Sequence, residues 1–187
     1  MELLEAFDRS YEAFDQRVLR VEDEQWTAGT PCTEWTVRDV VNHVVSEHLW
    51  APWLLRGATL AEVGDRFDGD VLGGDPKGAW ARAAAASRPA FHRPAALSGT
   101  VNTSGGPSPA DAYAWQMTLD LAVHGWDVAR GIGADEHMDQ ELARTLLERF
   151  GSQIPQWQGS GLFGPSVDVP GSASARDRLL ALLGRRP

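Results

Sequence analysis

Two ionisable side chains fall one helical turn apart in Asp120-Leu121-Ala122-Val123-His124, among apolar neighbours. At that spacing a carboxylate and an imidazole share one helix face, with Cβ atoms roughly 5–6 Å apart. The stripe they interrupt, Tyr113, Met117, Leu121 and Val128, is apolar or aromatic. Groups of this kind buried in such a face need partners. They can satisfy each other through a hydrogen bond, or both can turn to a metal ion with a third ligand from another helix. His43 is the candidate for that third ligand, because it lies midway along Val40-Val41-Asn42-His43-Val44-Val45, again a polar group in an apolar run. Bundles commonly build metal sites from facing helices. Three protein ligands would leave positions open for water or substrate, as catalytic sites require. Two histidines and a carboxylate also describe the facial triad of non-haem iron, so the donor set alone does not choose the metal.

Other residues could support that chemistry. Glu47 lies one turn after His43, where it could be a fourth ligand, a general base, a hydrogen-bond acceptor for the imidazole or a surface charge. His48 is rotated by roughly 100° from Glu47 and is expected to face elsewhere. Asp127, three residues after His124, is read either as a support for that ring or as a partner of Arg130. His92 and His137 read as solvated. Cys32 precedes a helix start, whose dipole is expected to lower a thiol pKa; a packed thiol, a nucleophile and a soft metal ligand are its alternatives. Of the eight tryptophans, most fill a core on the simplest reading; if some line a ligand pocket, Trp50, Trp53 and Trp126 are the candidates.

The elements that must position these groups are helical. Apolar residues at Leu3, Leu4, Phe7, Tyr11, Phe14 and Val18 predict a helix over 2–20. Thr36 and Asp39 form a capping-box start for a second helix that is apolar nearly all round and runs to about Leu55, with Pro52 kinking its last turn. Residues 58–74 read as a loop with one short turn, and Asp75-Pro76 open an alanine-rich helix to about Pro94. Residues 97–109 read as a connector, after which Ser108 is expected to cap a long helix starting at Pro109 and ending at Arg130. A helix over 138–151, a Gly/Pro/Ser-rich stretch over 152–172 and a short helix over 173–183 complete the chain. Val101, Val167 and Val169 could support only short extended pieces. The expectation is one all-α domain over 1–187.

Composition narrows the partners. A formal charge of −9 argues against nucleic acid and anionic membranes, which require a basic face. No stretch approaches the ~18 apolar residues of a membrane span. The acidic N-terminus, Met1-Glu2-Leu3-Leu4-Glu5, is unlike a signal peptide, and a single cysteine fits a reducing compartment, so a cytoplasmic protein is expected. There is no glycine-rich phosphate cradle and no zinc-finger spacing.

The segments Thr30-Pro31-Cys32-Thr33-Glu34-Trp35-Thr36-Val37-Arg38-Asp39-Val40-Val41-Asn42-His43 and Asp120-Leu121-Ala122-Val123-His124-Gly125-Trp126-Asp127-Val128-Ala129 resemble the DinB-like, mycothiol-dependent maleylpyruvate isomerase N-terminal domain superfamily. They look most like its single-domain metal-binding branch, as do Leu162-Phe163-Gly164-Pro165 and the closing Asp177–Pro187. The resemblance implies a four-helix bundle, with additional short C-terminal helices here, holding a divalent metal, usually zinc. Matched position by position, the ligands are His43, Asp120 and His124; the isomerase has Glu where this chain has Asp120. That enzyme also carries a further C-terminal domain, for which 187 residues leave no room, so isomerase activity itself is not carried over. The expected function is a metal-dependent thiol transferase, isomerase or hydrolase using a mycothiol-type cosubstrate on a small electrophile, with Glu47 moving a proton. The alternative is a non-catalytic metal or small-ligand binder. Nickel and iron stay open beside zinc, and a homodimer is neither required nor excluded.

Overall fold

A computed structural model describes residues 1–32, 34–157 and 163–187, so part of the Gly/Pro/Ser-rich stretch, including Leu162 of the closing motif, lies outside the described residues. Helix α1 (Leu3–Arg20) buries Phe7, Phe14 and Val18 at helical spacing. Helix α2 (Val37–Leu54) begins as its residues dictate: the Asp39 amide donates to Thr36 Oγ1, and the Thr36 amide donates to Asp39 Oδ2 at 2.9 Å. Five valines of this helix are fully buried, as an all-round apolar pattern requires. Pro52 sits buried in its last turn. A single-turn helix α3 (Leu60–Val63) carries its own Thr59/Glu62 capping box within the 58–74 loop. Helix α4 (Pro76–Phe91) starts from the Asp75 cap and stops three residues before the expected Pro94.

Helix α5 (Ala110–Gly131) is the hub, buried along nearly its whole length. It packs on α1 and α2, α2 packs on α4, and α1 closes the ring against α4, giving a four-helix bundle. The opposite side of α5 is covered by α6 (Gln140–Phe150), α7 (Ile154–Trp157) and α8 (Ala175–Leu182). The core is accordingly split in two. One apolar cluster around Phe7, Trp80, Phe91 and Leu121 fills the bundle. Another around Trp126, Leu142, Leu146 and Leu179 lies between α5 and the C-terminal helices.

The connector over 97–109 is a correction to the sequence reading. It forms an antiparallel hairpin, β1 (Thr100–Thr103) with β2 (Gly106–Pro109), and Gly106 takes φ +104° at the turn. Pro109 is therefore the N-cap of α5 rather than its first helical residue, and the Ser108 hydroxyl does not cap the helix. Prolines masked this strand because they cannot donate to a ladder. Pro107 and Pro109 are two residues apart, however, and an antiparallel ladder alternates hydrogen-bonded with non-hydrogen-bonded pairs, so both fit where no donor is needed.

Candidate metal centre

Helices α2 and α5 bring His43, Asp120 and His124 together, 77 residues apart in sequence between the first two. Both imidazoles turn Nε2 toward one carboxylate. His43 Nε2 lies 3.4 Å from Asp120 Oδ1 and 3.3 Å from Oδ2, and His124 Nε2 lies 3.3 Å from Oδ1. One nitrogen or oxygen from each residue falls within 4.8 Å of the others. Atoms sharing a tetrahedral ion at ~2.0–2.1 Å stand about 3.3 Å apart, so the donor set fits a zinc-like ion. Asp120 Oδ2 is buried and, although His43 Nε2 lies 3.3 Å away, makes no well-directed hydrogen bond among the described residues, as suits an oxygen with a lone pair left for an ion.

The ring of His124 is held from behind. Its Nδ1 lies 3.0 Å from Asp127 Oδ2, and the Arg185 guanidinium donates to both Asp127 oxygens, at 3.2 and 2.8 Å. Asp127 can only accept, so Nδ1 of His124 carries a proton, and Nε2 is the nitrogen turned toward the site, where it would give up its own proton to take an ion. Burial raises the Asp127 carboxyl, but the bonds from His124 and Arg185 outweigh it and hold the group below its ordinary range. Burial likewise opposes charge on His124, yet Asp120 and Asp127 overcome it and push its pKa up to about 9. His43 is raised in the same sense, with burial outweighed by Asp120. Asp120, for its part, is held well below the ordinary carboxylate range, because the two imidazoles outweigh its burial. Asp127 thus supports the His124 ring, whereas Arg130 pairs with Glu136 at 2.8 Å.

A cavity of about 870 Å³ opens beside these groups, lined by Glu47, Tyr113, Asp120, Met117, Trp157 and Phe163 among others. Burial and the Asp120 charge raise the Glu47 carboxyl. A shallower groove over His43, Asp39 and Phe67 adjoins it, so the 58–74 loop reaches the site, whereas no residue of 97–109 lines either space among the described residues. His48 faces the bundle core, with Nδ1 2.7 Å from Ser87 Oγ. Cys32 lines the cavity and lies close to His124 and Asp127. Burial pushes its thiol up, the opposite of the expected dipole effect; the helix starts five residues later, at Val37.

The tryptophan candidates need correcting. Trp126 is core, Trp50 packs on Phe67, and Trp53 lies under the guanidinium groups of Arg56 and Arg66. The tryptophan against the imidazoles is Trp35, with ring centroids 5.2 Å from His43 and 5.9 Å from His124, and Trp157 also lines the cavity. Sequence reasoning also missed Arg185 as a partner for Asp127. The available signal was Asp127 itself, a carboxylate deep in an apolar helix that requires a cation from somewhere.

Residues 7–129 match the family described as the mycothiol maleylpyruvate isomerase N-terminal domain. Uncharacterized proteins from two strains of Mycobacterium tuberculosis are 31% identical over 191 residues, spanning 99% of this chain and 98% of theirs. The crystal structure of the mycothiol-dependent maleylpyruvate isomerase shares the fold at TM-score 0.65 and 18% identity, over 86% of this chain and 73% of that one. A mutant of the same enzyme gives TM-score 0.66 at 16% identity with the same coverage. With two thirds of its length matched and its helices arranged as in that enzyme, the chain belongs to the mycothiol maleylpyruvate isomerase N-terminal domain family.

Proposed function

We propose that this single-domain chain is a divalent-metal enzyme that brings a low-molecular-weight thiol of the mycothiol type to a small electrophile. His43, Asp120 and His124 would hold the metal, with zinc preferred over nickel or iron, and Glu47 would carry the proton. The observation that carries this reading is the convergence of two imidazole Nε2 atoms on one carboxylate at 3.3–3.4 Å, beside a cavity large enough for a substrate. The thiol is inferred from the name of the family's isomerase.

A divalent metal held there would supply the Lewis acidity that keeps a thiol as thiolate near neutral pH. The chain's own contribution is positional. Asp127 and Arg185 fix the tautomer and direction of His124, and Trp35 packs against both imidazoles. Glu47 lines the cavity with its carboxyl raised, as suits a group that accepts a thiol proton and later returns it. Met117 and Val123 give the cavity an apolar wall that limits water.

The test is metal analysis of protein purified without added metal. About one ion per chain is expected, falling below one-tenth in His43→Ala. Thiol conjugation to an aryl halide should disappear with chelator and return on adding zinc. Conjugation by a fully stripped protein at the same rate would remove the mechanism, and a metallated protein that never conjugates would mark it as a binder.

A further inference from the structure

The cavity is lined from both halves of the core, and its two sides differ. On the bundle side stand His43, Glu47, Tyr113 and Asp120. Gln116, one turn after Tyr113 on α5, adds a second donor there, and the buried Tyr113 hydroxyl has no hydrogen-bond partner among the described residues. Buried hydroxyls are normally paired, so this end of the cavity is built to meet polar atoms of a ligand. The other side is a wall of Leu119, Val123, Trp157, Phe163 and Leu183, all belonging to or packed on the second apolar cluster. The adjoining groove has no such wall and carries Asp39, Asn42, Ser46 and Asp68 instead.

Three aromatic rings stand in a row in that wall. Phe150 is buried, Trp157 follows with centroids 5.8 Å apart, and Phe163 stacks on Trp157 at 6.1 Å with planes 27° apart. Phe163 is half-buried and lines the cavity, and among the described residues Trp157 is its ring partner. Aromatic rings gain from offset-stacked and edge contacts beyond the area they bury, so the open end of the row favours another flat ring. The family match ends at residue 129. His43, Glu47, Asp120 and His124 lie inside it, whereas Trp157, Phe163 and Leu183 lie beyond it. The groups for chemistry and the wall that meets the substrate thus come from separate parts of the chain.

We propose that Trp157 and Phe163 are specificity-determining residues that seat a flat aromatic ring of the electrophile at the end of this row, with its polar, reacting end turned to Glu47 and the metal residues. A carbonyl or a carboxylate on that ring would face the same polar end, so the selection is for the ring and not for charge. This rests on the cavity being the substrate site of the enzyme proposed above. Benzyl alcohol and cyclohexylmethanol are the probes, since they share a hydroxymethyl group and differ in whether the ring is flat. The chain has six phenylalanines, so protein carrying phenylalanine labelled with 13C at Cζ gives six signals, and Phe163→Leu identifies the one from Phe163. Benzyl alcohol should move that signal. Phe163→Leu should weaken benzyl alcohol binding about fivefold, the scale of one aromatic pair, while cyclohexylmethanol binding and metal content stay unchanged. An unmoved Phe163 signal, an equal loss for both alcohols, or full benzyl alcohol affinity in Phe163→Leu would overturn the proposal. If Phe163→Leu fails to fold, Phe163→Tyr identifies the signal, keeps the ring and should keep benzyl alcohol binding. Both alcohols are inert, so the wall is read without thiol chemistry. A protein that seats the ring but never conjugates a thiol would remove the enzyme reading alone, and one that conjugates with an unmoved Phe163 signal would remove this one alone.

Discussion

His48 and His124 are both buried histidines on neighbouring helices of the bundle, and the fold drives them in opposite directions. Among the described residues His48 meets the Ser87 hydroxyl and the rings of Phe7 and Trp80, and burial lowers its pKa to about 4. His124 is buried too, yet its two carboxylate neighbours carry its pKa up to about 9. Burial alone therefore says little about what a histidine does. The neighbour decides, by offering or withholding a negative charge. The His48 side of α2 faces the aromatic core, where Phe7 and Trp80 pack on the ring, and the His43 side faces the site.

Four experiments would break or sharpen that contrast. Arg185→Ala should have the largest effect, because it strands the buried Asp127 carboxylate; a loss of about 3–5 kcal/mol is expected in urea denaturation. A second contrast is in pH, using metal-stripped protein. The folded pKa of His124 lies above the unfolded 6.5, so its contribution is complete below pH 6.5 and disappears as pH rises through about 9. The folded pKa of His48 lies below 6.5, so stability falls as pH drops from 6.5 toward 4, while the unfolded chain takes up the proton first. Each limb is worth about 3 kcal/mol. His124→Gln should shrink the alkaline limb, leaving the part that His43 supplies, and His48→Gln should remove the acid one between 6.5 and 4, read as melting temperature against pH; profiles identical to wild type would refute the assignment. Asp127→Asn should weaken metal affinity by about 10–100-fold in competition with a chromogenic chelator, since it removes the charge behind the ring proposed to hold the ion. Ser87→Ala should be the mildest, costing about 1 kcal/mol and leaving metal content untouched.

The parts of the site readable from sequence are those fixed by local periodicity. Asp120 and His124 share a face because a helix repeats every 3.6 residues, and His43 stood out because its neighbours are valines. The bundle helices were legible for the same reason, as was the Thr36/Asp39 start of α2. Trp35, Tyr113 and Arg185 were not, because each reaches the cavity through the tertiary arrangement. Arg185 meets Asp127 across 58 residues, and Tyr113 reads from sequence as one more core aromatic in an apolar stripe. The hairpin was hidden by two prolines that are harmless at those positions of a two-stranded ladder.

The distance along the chain between the converging groups also sets an order of events in time. His43 and Asp120 are 77 residues apart, so no donor set exists until α2 has docked on α5. A zinc finger gathers its ligands from a short stretch and cannot fold without its ion. Here α1, α2, α4 and α5 can close over apolar residues first, and an ion would arrive late, at a nearly finished protein. Refolding rates should therefore be insensitive to added zinc, while unfolding should slow in its presence.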